Sequence, residues 1–302
     1  MFLLIIMFLI RNFNLFKLYM IYIILSIILL LYIIINSYIN KEMYLNGNNH
    51  LSGYDIHDMN KINGIDKIMW INLDRSPDRR NKMVQLLNKV NIKNERVKAI
   101  DGKEVDVISI IKNMKLNRKM DIGTIATTLS HIKAVQSLKY EKGNYFMVCE
   151  DDIHFDNTQY FQKDLKTIIK NAPRGFDILM LYKTWPHELK NEYERWIDYY
   201  KPRKFIAGAC CYIISKKGVE KINKYVNYIN DTTFHFNKKE SDEFHLADVY
   251  LFKLLNTWVY KYNFIATQLD ESTLHNNDIY LGNHRKCHEI QQNIIMKNLA
   301  VL

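Results

Sequence analysis

The sequence predicts an α/β domain, preceded by an apolar N-terminal segment. Short apolar runs alternate with stretches of helical periodicity, the pattern of an open sheet flanked by helices. Several runs, such as Tyr145-Phe146-Met147-Val148-Cys149, show no polar alternation, as expected of strands buried on both faces. Acids, arginines and turn residues gather just after these runs, where ligands bind at the carboxyl ends of strands in open α/β sheets.

Met1 to Ile10 is apolar, Arg11 to Lys17 carries two positive charges, and Leu18 to Ile35 is uncharged and almost wholly aliphatic or aromatic. The second run is long enough to span a bilayer, too long for a signal-peptide core, and lacks a small-residue cleavage site. Arg11 and Lys17 precede it while Lys41 and Glu42 cancel after it, so the positive-inside rule expects a single-pass type II anchor with its N-terminus in the cytosol. Residues 1–40 are therefore read as tail and anchor, and polar residues 41–66 as a stem. The remainder is expected on the lumenal side of an ER or Golgi membrane, or in a virion or host membrane if the chain is virus-encoded.

Residues 67–285 are read as the catalytic domain and 286–302 as a basic tail. Lys67 to Leu73 reads as the first strand, with Ser76 as N-cap and Pro77 opening a helix on which Met83, Leu86, Leu87 and Val90 recur. Arg75, Arg79 and Arg80 crowd the start of that helix, where the macrodipole disfavours cations; a bound phosphate or pairing with Asp74 and Asp78 would offset this. A strand at Arg96 to Ile100 ends in the turn Asp101-Gly102. Ile125, Leu129, Ile132, Val135 and Leu138 mark the next helix, whose His131 reads as structural, since a lone helical histidine has that role more often than a catalytic one.

The strand at Tyr145 then runs into Glu150-Asp151-Asp152. Adjacent carboxylates repel, so a cluster here suits a hard divalent cation, and the alternative is an acidic turn that caps the following helix. A helix over Tyr160 to Lys170, a strand at Phe176 to Tyr182, an aromatic and charged stretch over Lys183 to Lys204, a strand at Ala209 to Ile214 and a helix capped by Ser215 follow. Asn230 to Ala247 reads as a loop containing the sequon Asn230-Asp231-Thr232; a helix over Val249 to Leu255 and a late strand at Trp258 to Phe264 close the pattern.

The 302 residues are 48% hydrophobic and carry a formal net charge of +10, but no block of like charge stands out, so nucleic acid is not expected as a partner. The four cysteines lack metal-ligand spacing.

Four stretches carry a family resemblance. "INLDRSPDRR" at Ile71 to Arg80, "AIDG" at Ala99 to Gly102, "LSHIKA" with "VCEDD" between Leu129 and Asp152, and "GACCYIIS" at Gly208 to Ser215 follow one another in the order and spacing of glycosyltransferase family 25. The chain resembles that family, which includes lipopolysaccharide-type sugar transferases and procollagen galactosyltransferases. The resemblance implies a GT-A fold with a Rossmann-like mixed sheet. It also implies transfer of a hexose, galactose or glucose, from a UDP-sugar to a glycan or glycoprotein hydroxyl, with inversion and with Mn2+ or Mg2+. By the same resemblance Asp152 is the metal ligand, Glu150 contacts nucleotide or metal, and Asp151, counted with the catalytic residues, contacts the sugar or ribose. Asn72, Arg75, Arg79, Asp101 and Gly102 approach the nucleotide, and Asp248 is the general base, with Asp242 and Glu243 as rivals. His275 closes the metal shell. The alternatives are a catalytically inactive scaffold of the same fold and a metal-dependent phosphoesterase.

Overall fold

The computed structural model describes residues 24–31, 60–116, 120–184, 198–201, 207–229, 233–237, 246–268 and 278–297. The chain divides into two compact units, Met1–Tyr54 and Asp55–Leu302. Of the first, only residues 24–31 are described, and they are helical. No helix among the described residues is long and apolar enough to cross a membrane; most of the expected anchor, 18–35, lies outside them.

The second unit is built on a seven-stranded sheet. Its strands are β1 (Lys67–Asn72), β2 (Asn94–Lys98), β4 (Tyr145–Glu150), β6 (Ile178–Met180), β7 (Tyr199–Tyr200), β8 (Cys211–Ser215) and β11 (Thr257–Tyr260), in the order β2-β1-β4-β8-β6-β11-β7. β1 is parallel to β2 and β4, β8 is antiparallel to both β4 and β6, β6 and β11 are parallel, and β7 closes the edge antiparallel to β11. Five strands thus share one direction and deliver their carboxyl ends to one edge. The apolar runs that lack alternation are indeed buried on both faces: every residue of β1 and β8 is buried. Even Lys67, 2% exposed, is accommodated at the start of β1 by Glu95 at 2.5 Å and Glu141 at 2.7 Å.

α2 (Ile122–Ser137) packs on the sheet beneath the parallel strands. Asp121 caps it, its Oδ1 accepting from the Thr124 amide at 2.8 Å, and Leu129, Ile132, Ala134 and Val135 are fully buried. The helix is buried on more than one face because α4 (Lys216–Tyr225) and α5 (Ala247–Leu254) pack against it. Ser215 caps α4 by accepting from the Gly218 amide, as expected.

α1 (Pro77–Leu87) begins at the expected proline, but Ser76 makes no side-chain cap. Its carbonyl instead accepts from Asn72 Nδ2 at 3.2 Å, so the chain entering α1 is held by the end of β1. The helix expected over Tyr160 to Lys170 is split into a 3-10 turn at Asp156–Tyr160 and α3 (Leu165–Asn171), because Asp164 caps the Thr167 amide and restarts the helix. Two smaller pairings were not expected. β3 (Ile111–Lys112), β10 (Thr233–Phe236) and β9 (Val226–Ile229) form a three-stranded sheet, and β5 (Ile153–His154) pairs with β12 (Ala266–Thr267). β10 falls inside the stretch read as a loop: Phe234 and Phe236 alternate with polar neighbours, but four residues are too few for the period to stand out. The residues read as a basic tail lie largely in α6 (Asp278–Lys297), which seats Cys287, Gln291 and Ile295 against the domain.

Candidate active site

A cavity of about 420 Å³ opens at the carboxyl ends of β1, β2 and β4, walled on its far side by the first half of α2. Three of the four quoted stretches converge here. β1 and the turn after it supply Asn72, Arg75 and Arg79; the turn after β2 supplies Asp101 and Gly102; β4 ends in Glu150, Asp151 and Asp152. Parallel pairing of β1 with both neighbours places these ends side by side.

The three acids have different environments. Asp151 is 8% exposed and accepts from Asn72 Nδ2 at 2.6 Å and from Arg79 Nη1 at 2.9 Å. Burial still raises its carboxyl above the usual range against those two partners. Glu150 turns toward α2, where His131 Nε2 lies 3.1 Å from its Oε1. Asp152 has Arg79 Nη1 at 3.7 Å from Oδ2, while its Oδ1 is buried with no hydrogen-bond partner. Burial, then the neighbouring Glu150 carboxylate, pushes Asp152 up to about 8. Arg79 answers these acids: burial lowers it, but the carboxylates of Asp152 and Asp151 more than compensate and hold it above its ordinary value.

Around this floor the side chains are tied to one another. Asn72, 1% exposed, uses its whole amide: Nδ2 donates to Asp151 and to the Ser76 carbonyl, and Oδ1 accepts from Arg96 Nε at 2.9 Å and Arg80 Nε at 3.3 Å. Its place at the site is thus to orient Asp151. Arg75 Nε donates to Asp101 Oδ2 at 2.6 Å. Burial raises Asp101, but the Lys103 amide and Arg75 outweigh it and keep its carboxyl below the usual range. A Cβ on Gly102 would lie 2.6 Å from Ile122 Cγ2, so this turn reaches the start of α2 only because it has no side chain.

Asp248 stands in the first turn of α5, outside the residues that line the cavity. Its two oxygens accept from the Gly208 and Ala209 amides, each at 3.3 Å, and burial followed by the charge of Glu150 raises it to about 6. The fourth quoted stretch therefore meets the site through Asp248 and Glu150. Gly208 has φ +147°, and a Cβ there would sit 2.4 Å from the Tyr182 carbonyl oxygen. Asp242, Glu243 and His275 lie outside the described residues.

His131, read from sequence as structural, is fully buried and lines the cavity. Its neighbour Ser130 ties this turn of α2 to the strand end that carries Asp101, its Oγ accepting from the Ile100 amide at 2.8 Å.

Among the described residues no group of three or more His, Cys, Asp or Glu is arranged to hold a metal ion. The residues present nonetheless fit one. Mg2+ and similar hard cations are usually held by one or two carboxylates completed by substrate phosphates, and the orphaned Asp152 oxygen beside Glu150 is a donor set of that kind.

Site and fold together define an α/β domain with an acidic, arginine-flanked cleft at its parallel strand ends. The model of glycosyltransferase family 25 (LPS biosynthesis protein) matches residues 65–244, and the chain belongs to that family. The match spans β1 through β10 and all the cavity residues named above; Asp248 lies just beyond it. Among curated relatives, a glycosyltransferase 25 family member of Drosophila pseudoobscura pseudoobscura is 28% identical over 144 residues, 44% of this chain and 22% of that protein. Procollagen galactosyltransferase 2 of Homo sapiens is 28% identical over 122 residues, 37% of this chain and 19% of that protein. The matched segments thus span about a fifth of these relatives' length. Mouse xyloside xylosyltransferase 1 in its apo form aligns with 11% identity over 55% of this chain and 57% of that one at a TM-score of 0.26, too low to bear on the fold.

Proposed function

We propose that the chain is a metal-dependent glycosyltransferase of the GT-A type. It moves a hexose, galactose or glucose, from a UDP-sugar to a hydroxyl of a glycan or glycoprotein acceptor, with inversion at the anomeric carbon. The observation that carries this reading is the Asp152 carboxylate, buried, repelled by Glu150 and left with an unpartnered oxygen at the floor of the strand-end cleft. Family membership and the galactosyltransferase named among the relatives support the donor class.

Asp152 and Glu150 would hold Mn2+ or Mg2+, which when bound neutralises charge on the leaving nucleoside diphosphate. Arg75, about a third exposed beside Asp101, would meet the nucleotide, and Asp151, locked by Asn72 and Arg79, would offer a fixed carboxylate to the sugar or ribose. Asp248 takes the acceptor proton: a carboxyl held at about 6 is a better base near neutral pH than an ordinary aspartate. The apolar run from Leu18 to Ile35 supports a type II anchor with the catalytic unit on the lumenal side.

The test is turnover of UDP-, GDP- and CMP-sugars by the full chain, with and without manganese, beside Asp152→Ala. Metal-dependent release of nucleotide from one donor, lost in the variant, is expected. Turnover that ignores both metal and Asp152 would remove the reading.

A further inference from the structure

Glu150 comes from the end of β4, with its side chain about a third exposed in the cleft, and a glutamate there has three rotatable bonds with which to leave any useful geometry. The structure shows what holds it. His131 stands in the middle of α2, away from either helix end, with its ring fully buried and both nitrogens engaged. Nε2 lies 3.1 Å from Glu150 Oε1, and Nδ1 lies 3.4 Å from the hydroxyl of Tyr212. In the neutral ring the proton belongs on Nε2, because a carboxylate can only accept, and Nδ1 is then the acceptor for the tyrosine hydroxyl. Tyr212 is itself fully buried on β8, with Phe252 packed edge-on against it at 5.7 Å. A single tautomer thus satisfies every group in the row, running from β8 through α2 to the end of β4.

We infer that His131 is the positioning residue for Glu150: its Nε2–H, oriented by the Tyr212 hydroxyl behind it, fixes the glutamate carboxyl in the geometry that binds the nucleotide and its cation. The inference rests on the proposed nucleotide-sugar site and adds to it a residue, buried in the cleft wall, that acts through another side chain. The arrangement follows the general logic by which an oriented imidazole and a carboxylate fix each other next to a metal, where loss of the outer partner costs about 10–100-fold in affinity or activity. A role confined to packing accounts for the burial of His131 but not for its position: the ring faces a partly exposed carboxylate across the cleft wall, and a phenylalanine of similar shape would fill the same space.

The experiment is calorimetric titration of UDP, in excess Mn2+, into the full chain, with ligand-free melting recorded for each variant. His131→Phe keeps the shape and removes the donor; binding is expected to weaken by about 10–100-fold. His131→Gln, whose amide can still donate, is expected to recover part of that loss, and Tyr212→Phe to show a smaller loss in the same direction. Glu150→Ala weakens binding by itself, and adding His131→Phe to it is expected to weaken UDP binding no further, because the histidine acts on the nucleotide through that carboxylate. Wild-type affinity in His131→Phe, or independent losses in the double variant, would overturn the inference while leaving the proposed function standing. If His131→Phe fails to fold, His131→Gln and Tyr212→Phe carry the same comparison. A wild-type chain that binds no UDP with Mn2+ would overturn both the proposed function and the inference built on it.

Discussion

Replacing Asp152 by asparagine in the metal-free chain is expected to stabilise it while abolishing its chemistry. Burial and the Glu150 carboxylate push Asp152 up to about 8, so at pH 7 the folded chain holds a proton at this site. In the unfolded chain the same carboxyl titrates at about 3.9 and is ionised. Protonation of Asp152 therefore contributes stability that is fully present below about pH 3.9 and is lost as pH rises through about 8. At about 1.4 kcal/mol per pH unit, the loss accumulated by pH 7 is about 4 kcal/mol at most. Because Asp152 is protonated at this pH, its 3.7 Å approach to Arg79 is not an ion pair, and asparagine removes the penalty at the cost of burying an amide without hydrogen-bond partners, about 2 kcal/mol. The net gain is about 2 kcal/mol, or about 4–8 °C in melting temperature for a unit of this size. Thermal melts in chelator from pH 5 to 8 should show wild-type stability falling with pH and a flatter profile for Asp152→Asn. A variant that melts at or below wild type at pH 7.5, with the same pH slope, would refute the reasoning.

Gly208→Ala places a Cβ 2.4 Å from the Tyr182 carbonyl oxygen at a φ of +147°; a loss of about 3 kcal/mol or more is expected in urea unfolding, with Asp248 losing its two amide partners as the loop shifts. Asn72→Ala removes the hub between Asp151 and the Arg96 and Arg80 guanidinium groups; a destabilisation of about 1–3 kcal/mol is expected, together with weaker donor binding by calorimetry. Asp248 at about 6 predicts an acidic limb in kcat/KM near that pH, and Asp248→Asn should lower kcat by about 10²–10⁴-fold with little change in donor affinity.

Much of the site was legible because its chemistry is clustered in sequence. Asp74 to Arg80, Asp101-Gly102 and Glu150 to Asp152 each follow an apolar run directly, and parallel pairing of β1, β2 and β4 is sufficient to bring them together. What escaped the sequence depends on which partners the fold brings to each side chain. His131 looks like any helical histidine until Glu150 and Tyr212 are placed around it, 19 and 81 residues distant. Asn72 looked like a nucleotide contact, yet its amide is consumed by Asp151, Ser76, Arg80 and Arg96. The fold was misjudged mainly where elements are short. β3, β5, β9, β10 and β12 hold two to four residues each, too few for periodicity to register. The buried stripe of Cys287, Gln291 and Ile295 by which α6 is seated is sparse and includes a polar residue, so it did not stand out beside the basic charge around Lys286.

The central claim is that the acidic end of β4 receives a cation together with a nucleotide. Crystals of the full chain soaked in MnCl2 and UDP, with data collected at the manganese edge, test it directly. A single anomalous peak against Asp152 Oδ1 in the strand-end cleft, absent from Asp152→Ala crystals, is the expected result. UDP bound elsewhere, or bound in the cleft with no manganese beside Asp152, would contradict it.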